Sequence, residues 1–276
     1  MPTIEMAEMP YGMHAPVAAY TVFYWLFFVQ VAAAVAWLGY VAWHNRTAVP
    51  AAALGGSLTV AYFAPPVLNR LTLVWFPDNI PLTYITAFGM HDPLFDYLGY
   101  ALFFGLGGYS CYRLIASGRG ARAVYGAALV WGVADLAYEL PFLHWGMYTY
   151  YGPQPFQILG FPIHWVLINA MVPVLTGTLM RLAVSGQIDR RRMLLRVAGC
   201  APLSSFVTLG VAMPVAVALN ARVPAVAVHF AALLSIAMAV GLIRYCAGCA
   251  QRIAQSAGLS EPRTRSACAP VDAGTT

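Results

Sequence analysis

The sequence predicts an all-α polytopic membrane protein, a seven-transmembrane-helix bundle with its N-terminus outside and its C-terminus in the cytoplasm. Three observations lead there. Of 276 residues, 61% are hydrophobic and 9% charged, against roughly 25% charged in a soluble domain, so a water-facing surface could not be covered. Seven apolar runs each approach the roughly 20 residues that a helix needs to cross hydrocarbon. The 15 basic residues are distributed unevenly between alternate loops. All of them are arginine, and without a lysine there is no Schiff-base chemistry and no retinal-type pigment. The net charge of +5 does not imply nucleic acid, because the arginines do not form one patch.

Residues 1–16 read as an extracytoplasmic segment, polar and without arginine, unlike the basic start of a cleavable signal. The membrane domain is expected over 17–246. Its first span is Val17 to Trp43. The second runs from Ala48 to Leu68, with Gly55-Gly56 for close packing and Pro65-Pro66 to bend or end it. A Pro/Trp/Tyr-rich loop over 69–93 suits the membrane surface. Asp92-Pro93 opens the third span, Leu94 to Ile115, with Asp92 a candidate cap. The fourth runs from Ala123 to Leu143 and is followed by a Gly/Pro/aromatic loop. The fifth is Phe161 to Val184, the sixth Val197 to Leu219 and the seventh Val223 to Ile243. Residues 247–276 read as a disordered cytoplasmic tail. The five cysteines show one isolated C-x-x-C, Cys246 and Cys249, and are expected to be ordinary reduced thiols, with no metal bound.

Thirteen of the arginines fall in the loops 1–2, 3–4 and 5–6 and after the last span, and only Arg70 and Arg222 in the others. The positive-inside rule then fixes the orientation, in a plasma membrane of bacterial type. In that orientation Asn69, Asp92, Asp96, Asp135, Glu139, His144, His164, Asn169 and His229 gather in the outer half of one bundle. Charged groups at such depth are costly and mark function by default.

Asp135 and Glu139 are the centre of this cluster. Four residues apart on a helix, they lie one above the other. Two carboxyl groups so close in hydrocarbon cannot both ionise easily, and one that keeps its proton is a general acid. The aromatic residues around them, Trp131, Tyr138, Trp145, Tyr148, Tyr150 and Trp165, could hold a cation by roughly 0.5–2 kcal/mol each. An acid in an aromatic cage suits proton-initiated cyclisation, isomerisation or hydration of a lipid-soluble isoprenoid, with no cofactor. Asp135, Glu139, Asp96 and His164 are the candidate catalytic groups. The six aromatic residues with Asn169 and His229 are the candidate substrate contacts.

The segment Glu139, Gly146-Met-Tyr148-Thr-Tyr150 and Gly160-Phe-Pro162-Ile-His-Trp165 resembles integral-membrane carotenoid biosynthesis proteins of the hydratase type. The seven-span architecture is similar to the small membrane-bound terpene cyclases of meroterpenoid pathways. The resemblance implies that the acid is Glu139 or Asp135. Two other readings stay open: a proton-coupled transporter using these carboxyls as a relay, and a Mg²⁺-dependent prenyltransferase using Asp92-x-x-x-Asp96 and Asp135-x-x-x-Glu139. The first needs a polar path onward to the cytoplasm. The second needs several cations near the carboxyls, where only Arg70 is expected. A non-catalytic membrane scaffold, tolerant of amides at both positions, is a third.

Overall fold

A computed structural model describes residues 8–185 and 189–259 of the chain. Its helices are α1 (Val17–His44), α2 (Val49–Leu71), α3 (Leu94–Leu102), α4 (Gly108–Ala116), α5 (Gly120–His144), α6 (His164–Val184), α7 (Arg190–Asn220) and α8 (Ala225–Leu259). Between α3 and α4 a π-helical turn, Phe103–Gly107, keeps one rod unbroken from Leu94 to Ala116. Among the described residues six helices are long and apolar enough to cross a bilayer: α1, α2, α5, α6, α7 and α8. The chain is therefore a helical multi-pass membrane protein.

Apolar runs this long become helices because a chain in hydrocarbon must satisfy every backbone N–H and C=O within itself. The ends carry the local signals. The Asp189 carboxylate accepts from the amides of Arg191 and Arg192 at 3.1 and 3.3 Å and so caps α7. Asp92 caps nothing: α3 begins after Pro93 with no side-chain cap. Pro65-Pro66 do not end α2, which continues to Leu71; neighbouring helices in a bundle tolerate such interruptions. The expected tail also needs correction. Residues 247–259 continue α8 as helix, and Cys246, Ala247, Cys249 and Ala250 are buried in the bundle. The apolar stripe of that helix outlasts the apolar run. Residues 1–7 and 260–276, with Cys268, lie outside the described residues.

The core is built around α6, which packs against α4, α5, α7 and α8. Two glycines set its closest approaches and those of α2. A methyl group at Gly177 would sit 2.5 Å from the Tyr112 amide nitrogen and 2.6 Å from Cys111 Cβ, so α4 and α6 meet backbone to backbone. Gly56 rests against the backbone of Ala198 in the same way, joining α2 to α7. By contrast, α1 stands at the edge. It packs on α2 and α3 and meets α5 through aromatic rings: Phe23 with Phe142 and Trp145 at 4.0 and 5.0 Å, and Phe27 with Tyr138 and Phe142 at 5.7 and 5.8 Å.

The loop expected over 69–93 carries more order than a surface segment. Strand β1 (Val74–Trp75) pairs with β4 (Thr149–Tyr150), and β2 (Thr83–Ala87) with β3 (Met90–Pro93). A third small ribbon joins β5 (Gln157–Ile158) to β6 (Phe161–Pro162). The ribbon β1–β4 ties the two long loops together over the end of the bundle where α2 and α5 finish. The segment before α1 is fastened there too, by Asp78 Oδ2 accepting from the Gly12 amide and Asn79 Oδ1 from the Ala15 amide.

Candidate functional site

A cavity of about 630 Å³ lies beneath that ribbon, between α1, α2, the α3–α4 rod, α5, α6 and α7. It is within the size range of small-molecule sites, roughly 300–1,000 Å³. The π-helical turn helps to make it. The turn presents Phe103, Phe104 and Leu106 to the space, while Gly105, Gly107 and Gly108 leave no side chain between the rod and its neighbours Ser57, Pro173 and Thr176. Such turns recur at functional sites because the extra residue re-aims the side chains around it.

The wall is mostly apolar, and its acidic groups are held by hydrogen-bonded partners. Tyr148 donates a short hydrogen bond to Glu139 Oε2, and the Tyr150 hydroxyl lies 3.4 Å from the same oxygen. One turn earlier on α5, Asp135 Oδ1 accepts from Asn169 Nδ2 at 2.9 Å, and Asp135 Oδ2 is buried without a hydrogen-bond partner among the described residues. Across the cavity Asn69 spends both amide protons on carboxylates, 2.9 Å to Asp92 Oδ1 and 2.8 Å to Asp96 Oδ2. Three carboxyl groups, Asp96, Asp135 and Glu139, therefore face the space together. A fourth, Asp92, stands fully buried behind Asn69, its Oδ2 also without a hydrogen-bond partner among the described residues.

Outside the helices the electrostatics follow from burial. Asp92 is pushed up to about 6 by loss of water, against the pull of the Asn69 hydrogen bond and of nearby His91. Burial and then the adjacent Glu139 carboxylate hold the Tyr148 and Tyr150 phenols well above their usual range, so both remain donors at any physiological pH. Arg70 is engaged elsewhere, donating to the Tyr151 hydroxyl at 3.0 Å.

Most of the predicted site residues converge. Asp96, Asp135, Glu139, Asn169, Trp131, Tyr138, Tyr148, Tyr150 and Trp165 all line the cavity. Three do not. His229 lies on the outer face of α8, its Nδ1 2.9 Å from the Ala225 carbonyl and its ring 4.8 Å from Phe156. The helix turns it away from the acids, a rotation that depth alone could not reveal. Trp145 is 45% exposed and packs against Phe23 with its ring tilted by 60° at the bundle rim. His164 is fully buried 5.0 Å from the Trp165 ring but contributes nothing to the cavity wall, because the turn that opens α6 points Trp165 inward. His144 is exposed at the end of α5.

Sequence reasoning missed the contributions of α1 and α3. Gln30 accepts a short hydrogen bond from Tyr138, and Phe27, Phe95 and Tyr100 complete the aromatic wall. Gln30 was findable as a lone polar residue in the middle of a span. Among the described residues no three His, Cys, Asp or Glu side chains are grouped to hold a metal ion.

The fold and site define a class, a helical membrane bundle enclosing an acidic, aromatic-walled cavity. Against protein-family models, curated proteins and solved structures, the chain matches none.

Proposed function

We propose that this chain is a membrane-embedded enzyme that uses the Glu139 carboxyl group as a general acid to start cyclisation, isomerisation or hydration of an isoprenoid. The supporting observation is the placement of Glu139 on the wall of an apolar, aromatic cavity, with Tyr148 and Tyr150 donating to it and Asp135 one turn away. In this reading the Glu139 O–H protonates a terminal alkene carbon or an epoxide oxygen. The electron pair of that double bond forms the new C–H bond, or the epoxide C–O bond breaks, and a carbocation results. The faces of Trp131, Tyr100 and Trp165 stabilise it. The next double bond, or a water molecule, attacks the cation, and a proton leaves to Asp135 or back to Glu139. Asn169 orients Asp135, and the Tyr148 and Tyr150 hydroxyls steady the carboxylate that Glu139 leaves behind. Such a reaction needs no net oxidant or reductant.

The same reading takes the rod from Leu94 to Ala116 as a seventh crossing. With thirteen arginines on alternate loops, the N-terminus and the cavity lid are then extracytoplasmic. A proton-coupled transporter is less well supported, because the carboxyls that line the cavity, Asp96, Asp135 and Glu139, come from α3 and α5 alone, and α6 and α7 add no charged group to its wall. A diphosphate site is less well supported too, since Asp92 stands behind Asn69 and Arg70 is held by Tyr151.

The test is conversion of linear polyprenyl, squalene-like and epoxidised substrates by membranes containing the wild type, Glu139→Gln or Asp135→Asn. Loss of a general acid should cost roughly 10²–10⁴-fold in rate. Products formed at an unchanged rate by both variants would remove the proposed acid.

A further inference from the structure

The cavity lid and the cavity wall differ in one respect. Every cavity-lining residue on the β1–β4 ribbon and its flanks is buried or half-buried, Val74, Phe76, Tyr148 and Tyr150 among them. The lining residues that are exposed on the outside of the molecule are Ala33 and Trp37 of α1 and Tyr138 of α5. The lining residues that also reach the outer surface therefore sit at the side of the bundle, on α1 and α5, and not on the loops.

The packing around this gap accounts for it. Near the lid, α1 and α5 are closed by the rings of Phe23, Phe27, Tyr138 and Phe142. Further along α1, Trp37 leans on Tyr109 of α4 at 5.9 Å. Between these two closures α1 presents Gln30 and the small residues Ala33 and Ala34 to the cavity, and α5 presents Ala134 beside Trp131. Small side chains on facing helices that do not pack together leave an opening. One polar contact crosses it, the hydrogen bond from the Tyr138 hydroxyl to Gln30. Tyr138 is the residue next to Glu139, so the opening adjoins the acid.

The geometry points to a lateral portal between α1 and α5, latched by Gln30 and Tyr138, through which a long linear apolar molecule enters from the bilayer and leaves its remainder in the lipid while one end reaches Glu139. The portal's surface helices are apolar on both sides, with Val29, Trp37, Val130 and Val133 exposed, and this face meets hydrocarbon in a membrane-spanning bundle. A water-borne substrate would have to cross that face. A chain already dissolved in the bilayer would not. The inference goes beyond the proposed reaction, because it concerns access and ligand shape and holds for any chemistry that follows.

The experiment is photolabelling of the full chain in phosphatidylcholine vesicles by two long-chain polyprenols, one with a diazirine at the hydrocarbon end and one with it at mid-chain. The end probe should label the inner wall, at Tyr100, Trp165 or Asn169, and the mid-chain probe should label Ala33, Trp37 or Tyr138. Ala33→Trp, a change at a lipid-facing position, should cut inner-wall labelling by at least about tenfold, a loss of about one decade in apparent affinity. Gln30→Leu, which removes the latch at similar width, should speed it. Mid-chain labelling concentrated on residues 74–76 or 148–151, or inner-wall labelling indifferent to Ala33→Trp, would overturn the portal. Labelling requires no turnover, so a Glu139→Gln protein that labels normally but converts nothing leaves both inferences standing. A wild type that labels but converts no substrate defeats only the reaction.

Discussion

Asp92 offers the sharpest numerical test, because its environment is fully described and it lies outside the helices. Its carboxyl is buried, with one oxygen held by Asn69 and the other without a hydrogen-bond partner among the described residues. Burial raises it from 3.8 to about 6. A raised carboxyl stabilises the fold while it is protonated, so its contribution is full below about pH 4 and is lost as the pH rises through about 6. Two units at 1.36 kcal/mol each amount to about 3 kcal/mol. Asp92→Asn keeps the acceptor that Asn69 uses and removes the titration. The stability difference between variant and wild type should therefore move in the variant's favour by about 3 kcal/mol between pH 4 and pH 7.5. At roughly 2–4 °C per kcal/mol for a chain of this size, that is a Tm difference changing by about 6–12 °C. Thermal unfolding in detergent micelles, followed by circular dichroism across that range, measures it. Asp135 and Glu139 are common to both proteins and are not among the neighbours of Asp92, so their own pH dependence cancels to first order. A difference that stays constant with pH, or that moves toward the wild type as pH rises, would refute the burial argument.

Other outcomes follow from single contacts. Asn169→Leu strips Asp135 of its hydrogen-bond donor and should destabilise the bundle by about 1–3 kcal/mol, read as a lower unfolding midpoint at pH 7. Gly177→Ala forces a methyl group against the Cys111–Tyr112 backbone and should cost about 1–3 kcal/mol through displacement of α4, visible in the same assay. His229→Ala should leave conversion unchanged within error, since the ring packs on Phe156 outside the cavity; a rate loss above about tenfold, some 1.4 kcal/mol of barrier, would return it to the site.

How far the site was legible can be judged residue by residue. Asp135 and Glu139 were readable as a pair because helical spacing alone puts them on one face, and carboxyls in an apolar run have few reasons to be there other than function. Asn169 and Asp96 were readable as neighbours in depth. The bond from Asn169 to Asp135, and the bridging of Asp92 and Asp96 by Asn69, were not. Both depend on how helices far apart in the chain are rotated about their own axes. His164 and His229 stay out of the cavity wall for the same reason, the rotation of each helix, which no single stretch of chain records.

The amino-acid order by itself determined the membrane class, most of the places where helices begin and end, the start of α7 and the end of α8 excepted, and the end of the bundle at which the acids collect. Those properties depend on local hydrophobicity and on 3.6-residue periodicity, which a single stretch of chain contains. Only the tertiary structure decided which acids face one cavity, that Asn69 and Asn169 hold them there, and that the lining residues reaching the outer surface sit on α1 and α5. These depend on close approaches at Gly56, Gly105 and Gly177 and on a π-helical turn, where packing between distant segments sets the rotation of every side chain.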